Sequence, residues 1–120
     1  MITPGIGLLN VSGFDWNEGN QEKNKKHGVT NAEIEEIFFN PPFVILPDTK
    51  HSDAELRSYC FGKTFRDRML LLVFTIRNNK IRPISARAMN RKERIYYEEK
   101  IKVSSYLSIT FKSFRSTNTK

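Results

Sequence analysis

The sequence predicts an α+β fold: a small antiparallel sheet of about four strands plus a weak N-terminal strand, flanked by two N-terminal helices and one C-terminal helix. Three observations predict it. Apolar residues fall at helical spacing after Thr30, the period turns strand-like after Pro42, and a second helix-start signal at Asn90 closes the strand region. The chain has 120 residues, which suits one domain spanning 1–120. Its expected core covers about 11–101, and 102–120 is a Ser/Thr-rich basic tail.

Each element has a local reason. The first dozen residues are Gly-rich, and Val11 to Trp16 is the candidate for the weak first strand. Asn17 to His27 is polar, Lys-rich and helix-compatible, ending at Gly28, a good helix terminator. Thr30 and Glu33 form a capping-box signature, after which Ile34, Ile37 and Phe38 share one helical face. Asn40-Pro41-Pro42 stops that helix, because proline donates no amide and crowds the preceding turn. Phe43 to Leu46 is a short apolar strand, followed by a loop over Pro47 to Asp53. From Glu55 to Phe61 the chain alternates, with Arg57, Tyr59 and Phe61 on one face. Met69 to Ile76 is apolar on both faces, the mark of a central strand covered on both sides. Asn78-Asn79 makes a tight turn into the returning strand Ile81 to Arg87, because Asn tolerates positive φ. Pro83 makes that strand an edge strand or a bulged one. Asn90 caps the last helix with Glu93 reaching back, and Arg94 and Glu98 stand at pairing distance along it.

Composition narrows the function classes. The hydrophobic fraction is 38%, and no apolar run approaches the roughly 20 residues of a membrane helix. The N-terminus has no basic start or clear cleavage site, so no signal peptide is expected. Cys60 is the single cysteine, which excludes an internal disulfide and fits a reducing cytoplasm; it reads as a buried structural thiol. The net charge of +7 divides unevenly, −3 over residues 1–50 and +10 over residues 51–120. Such a basic half points to a polyanion such as nucleic acid, or to an acidic protein partner.

The chemistry the residues permit is an arginine constellation. His27 and His51 lack ligand spacing; Asp48, His51 and Asp53 share a loop, but such loops are mostly solvated turns, so no metal is expected. No phosphate-loop, dinucleotide-binding or nucleophile-elbow motif occurs, so no cofactor is expected either. The stretch "TIRNNKIRPISARAMNRKERIYYEE" carries Arg77, Arg82, Arg87, Arg91 and Arg94. A two-residue turn at Asn78-Asn79 sets Thr75 opposite Arg82 and puts Arg77 and Arg82 on one face, with Arg87 on the other or at the strand's end. Arginine clamps phosphate through a planar fork and stays charged, which makes it a stabiliser of charge and a poor base. RNA cleavage without a metal also needs a base and an acid, for which Glu55, His27, Lys26 and Tyr97 are candidates. Each has a plainer explanation: a neutralising partner of Arg57 for Glu55, favourable charge at a helix end for Lys26 and His27, and a core aromatic for Tyr97.

Four stretches, in this order and spacing, resemble one family: "FDWNEGNQEKNKKHGVT", "AEIEEIFFNP", the Glu-x-Arg strand "ELRSYCFG" and "LVFTIRNNKIRPISARAMNRKERIYYEE". The family is the BrnT toxins of bacterial type II toxin–antitoxin systems, and the similarity runs from Phe14 to about Glu99. The resemblance implies a RelE-like fold and a metal-independent endoribonuclease that blocks translation by cutting RNA. It implies neutralisation by a ribbon-helix-helix BrnA-like antitoxin; the cytoplasmic location and the absence of a membrane partner expected from composition agree with it. Operator DNA would be met only through the antitoxin complex. Carried over residue by residue, it marks Glu55, Arg57, Arg77 and Arg87 as active-site residues and Lys26, His27, Arg82, Arg91, Arg94 and Tyr97 as RNA contacts. The alternative function is a non-catalytic basic module that docks RNA or an acidic partner.

Overall fold

The computed structural model describes residues 2–3, 11–21, 23–50 and 55–102. Most of the N-terminal leader, His51 and Asp53 of the loop considered for a metal, and the tail from residue 103 lie outside the described residues. The fold is α+β. β1 (Ile2–Thr3), β2 (Phe43–Pro47), β3 (Arg57–Lys63), β4 (Met69–Arg77) and β5 (Lys80–Ala88) form one antiparallel meander in chain order. A 3-10 turn (Lys23–His27) and α1 (Asn31–Phe38) precede β2, and α2, over residues 91–102, follows β5. Among the described residues no helix is long and apolar enough to cross a membrane.

Both helices start as their local sequence predicts. The Thr30 hydroxyl accepts from the Glu33 amide at 3.1 Å, and the Thr30 amide donates to the Glu33 carboxylate at 3.0 Å. Asn90 and Glu93 repeat the arrangement at α2, at 2.9 and 2.8 Å. α1 covers one face of the sheet, burying Ile34, Ile37 and Phe38 against Phe43, Cys60, Leu72 and Phe74. Gly62 permits the close approach, since a Cβ there would sit 3.0 Å from Ile37 Cβ. α2 covers part of the opposite face, where Tyr97, Phe61, Leu71 and Val44 cluster. β4, clad by helices on both sides, is the central strand its apolar run predicted.

Two expectations change. Val11 to Trp16 is not a strand of the sheet. It runs irregularly along the outer edge of β5, with Asp15 donating to the Ile81 carbonyl and Ile81 to the Gly13 carbonyl, and one parallel bridge at Phe14. The weak N-terminal strand is instead the two-residue β1, at the opposite edge beside β2. The helix expected over Asn17 to His27 shrinks to turns and the 3-10 segment. That stretch has no apolar face to bury, and isolated helices this short are marginal in water. Asn20 uses the space, accepting from the Asn17 amide and donating to the carbonyls of Asp15 and Pro83.

The hairpin decides which side chains meet. Asn78 and Asn79 have φ of 53° and 62°, the left-handed pair of a type I′ turn. Thr75 then stands opposite Arg82, as expected. Farther along, Phe74 pairs with Pro83 but Val73 pairs with Ser85, so Ile84 is the extra residue of a β-bulge. Plain alternation would send Arg82 and Arg87 to opposite faces. The bulge shifts the phase by one, so Arg87, opposite Leu71, shares the face of Arg57, Thr75, Arg77 and Arg82.

Candidate nucleic-acid interface

That shared face is covered by α2 at one end and open at the other. At the open end Glu55 sits in a bend just before β3. Thr75 steadies this entry point, its hydroxyl donating to the Leu56 carbonyl at 2.6 Å. The Glu55 carboxylate takes Arg77 through two nitrogens, Nη2 at 2.6 Å and Nε at 3.4 Å. Arg57 was the neighbour that spacing suggested for Glu55, but the hydrogen-bonded partner is Arg77 from the adjacent strand. The Arg77 hydrogen bond is the main reason the carboxyl lies below its ordinary 4.5, with Arg57 and Arg82 adding attraction. Arg77 is raised by the same bond and stays charged. Arg82 reaches across the edge of β5, with Nη1 3.5 Å from the Asp15 carboxylate and Nη2 3.4 Å from Asn17 Oδ1. Lys80, opposite Arg77, is exposed. A cavity of about 350 Å³ borders this end, lined by Glu55, Leu56, Ser58, Phe74, Thr75 and Ile76.

The covered end holds Arg87. Its Nη1 and Nη2 donate to the two Glu93 oxygens at 2.8 and 2.9 Å, and Nη1 also reaches the Ala88 carbonyl at 3.2 Å. The hydrogen bond from Arg87 dominates the lowering of the Glu93 carboxyl, and the Asn90 amide adds to it. Between the ends, the Tyr59 hydroxyl bonds to the buried Asp48 carboxylate. Burial first, and Asp48 second, push its pKa up, and it also feels Arg87 and Glu93.

The remaining candidates scatter. Lys26 and His27 are exposed on the 3-10 turn, which packs against β5. Arg91 is exposed at the start of α2. Arg94 turns back to the Met89 carbonyl at 3.1 Å rather than to Glu98. Tyr97 is fully buried and donates to the Pro42 carbonyl at 2.9 Å; burial raises its hydroxyl to about 12. No RNA can reach a side chain so placed, so Tyr97 belongs to the core that anchors α2. Cys60 is likewise buried, and desolvation pushes its thiol up. Among the described residues no three metal-ligating side chains gather.

Sequence reasoning missed Glu93 and Tyr59 as parts of this surface. Glu93 was visible only as a cap, and Tyr59 only as one residue of an alternating strand. Their partners Arg87 and Asp48 come from other elements, so no local spacing pointed to the pairing.

A family model described as a ribonuclease toxin, BrnT, of type II toxin–antitoxin systems matches residues 16–93 of the chain. That span holds both arginine–glutamate pairs of this face, and it stops short of Arg94 and Tyr97. No curated protein matches the sequence.

Proposed function

Because the chain belongs to the BrnT family of ribonuclease toxins of type II toxin–antitoxin systems, we propose that the arginine face of its sheet binds and cuts RNA. One observation carries this reading. The bulge at Ile84 and the turn at Asn78-Asn79 bring Arg57, Arg77, Arg82 and Arg87 from three separate stretches onto one face. The fold is read as RelE-like on the same footing.

The cut is a transesterification. The 2′-hydroxyl loses its proton as its oxygen attacks the adjacent phosphorus, and the 5′-oxygen leaves with a proton. Negative charge builds on the phosphoryl oxygens, where fixed guanidinium groups stabilise it without a metal. Arg57, Arg77 and Arg82 sit together at the open end, and we assign the scissile phosphate to that end. Glu55 is the group that holds Arg77 in place there. A ribbon-helix-helix antitoxin of the BrnA kind neutralises the protein by covering this face, and the pair meets operator DNA through the antitoxin. The site of action is the cytoplasm, where RNA and ribosomes are.

The test uses purified protein and a long RNA, with and without EDTA. Cleavage should survive chelation, and Arg77→Ala should lower its rate by at least a hundredfold while the melting temperature stays put. Binding without cutting in the wild type would mean a non-catalytic basic module. Activity lost to EDTA and restored by added metal would overturn the metal-free mechanism.

A further inference from the structure

The two glutamate-held arginines of this face stand far apart. Arg77 pairs with Lys80 and Arg87 with Leu71, so they are six residues apart along β4. At about 3.4 Å per residue that is roughly 20 Å. Each is held by partners of its own. Glu55, at the open end, holds Arg77, and Glu93 of α2 with the Ala88 carbonyl holds Arg87.

The hydrogen bonds further show what each guanidinium has left to offer. A guanidinium has two double-donor edges, Nε with Nη2 and Nη1 with Nη2. Glu55 occupies the Nε edge of Arg77, leaving the Nη1 edge. Glu93 occupies the Nη1 edge of Arg87, and no described residue accepts from its Nε edge. Arg68 makes a useful contrast. Glu33, the capping glutamate of α1, takes it through one nitrogen, Nη1, which donates to both carboxylate oxygens at 3.0 Å. Its Nη1 also donates to the Gly28 carbonyl at 2.6 Å, and it lies at the β3–β4 turn rather than in the arginine face.

Resting on the ribonuclease reading above, we propose that Arg87 is a second phosphate subsite, oriented by Glu93, which grips single-stranded RNA several nucleotides from the phosphate cut at Arg77. At an axial rise of about 3.4 Å per stacked nucleotide, 20 Å along the strand corresponds to about six steps, and to fewer in an extended strand. Tyr59, half-buried and midway between the two ends, lies along this path. Glu93 is a positioning residue: it touches Arg87 and not the substrate.

The experiment is a length series of single-stranded oligoribonucleotides, from trimers to about twelve nucleotides, cut by the full chain. For the wild type, kcat/KM should rise by tenfold or more once the strand is long enough to reach both ends, mostly through KM. Arg87→Ala should remove that rise, while Arg77→Ala should lower the rate at every length. Glu93→Gln separates positioning from capping, because Gln also serves in a capping box but grips arginine without charge. It should flatten the rise while the protein stays folded, with its circular dichroism spectrum unchanged. Glu33→Gln, the equivalent change at α1, should keep the rise. A wild-type series with no dependence on length, or an Arg87→Ala loss equal at all lengths, would overturn the second subsite. A Glu93→Gln series identical to wild type would overturn its positioning role. Should no RNA be cut at any length, the ribonuclease reading fails by itself. The same series in non-cleavable 2′-deoxy form, read by fluorescence anisotropy, then decides whether Arg87 adds an affinity step.

Discussion

Glu55 shows how little one side chain's identity says about its role. A carboxylate near a 2′-hydroxyl is a candidate base, but this one is gripped by Arg77 through two nitrogens and held below its ordinary 4.5. Arginine keeps it charged and so weakens it as a proton acceptor. We therefore expect Glu55→Gln, which cannot take a proton but can still accept from Arg77, to cost less than about tenfold in cleavage rate. The pH–rate profile should keep its shape from neutrality down to about pH 4.5. Removal of a true base costs on the order of a hundredfold or more. A loss of that size at unchanged RNA affinity, measured by single-turnover kinetics, would make Glu55 the base after all. The notion that Glu55 simply neutralises Arg57 came from spacing along one strand. Spacing of that kind misses the neighbouring strand, which is where the actual partner lies.

At the scale of elements, what could be read in advance was what is local. Both capping boxes, the type I′ turn, the apolar central strand and the proline-marked irregularity each depend on residues within a few positions. The face of Arg87 did not, because it depends on where the extra residue of the bulge falls. The stretch 17–27 was misjudged because its polarity tolerates a helix and gives nothing to stabilise one. The helix caps carry a further long-range feature: the capping glutamate of each helix also grips a distant arginine, Glu33 with Arg68 of the β3–β4 turn and Glu93 with Arg87 of β5. Glu93 is lowered chiefly by Arg87. For Glu33, burial opposes the shift, but hydrogen bonds from Thr30 and Arg68 outweigh it. A carboxyl whose folded pKa is depressed contributes stability above its unfolded value that is lost as pH falls through the folded one. Urea unfolding midpoints should thus be flat at neutrality and decline below about pH 4.5. Glu33→Gln combined with Glu93→Gln should lower the neutral midpoint and flatten this decline. A double variant with the wild-type acid dependence would place the pH-sensitive charges elsewhere.

Across the whole molecule, charge and shape point the same way. Residues 51–120 carry +10 of formal charge, and the sheet turns Arg57, Arg77, Arg82 and Arg87 to one side while α1 packs on the other. That distribution was legible as a preference for a polyanion. The position of the proposed binding face was not, because it needed the strand register. An inhibitor of this surface has two physical routes: it can cover the arginines, or bind elsewhere and distort them. Covering is the direct one, since Arg77 and Arg87 are both exposed in the free protein. A covering partner must present carboxylates, so its association should weaken with added salt, as RNA binding should. With a non-cleavable oligonucleotide of about twelve nucleotides as reporter, stoichiometric antitoxin should displace the oligonucleotide completely. Arg77→Ala and Arg87→Ala should each weaken both ligands, because the ligands share these donors. Size-exclusion chromatography with light scattering should find a two-plus-two assembly if the antitoxin is the dimeric ribbon-helix-helix protein proposed above. A stable ternary complex of protein, antitoxin and oligonucleotide would show that the arginine face stays open in the neutralised state, and that inhibition acts on the catalytic geometry from a distance.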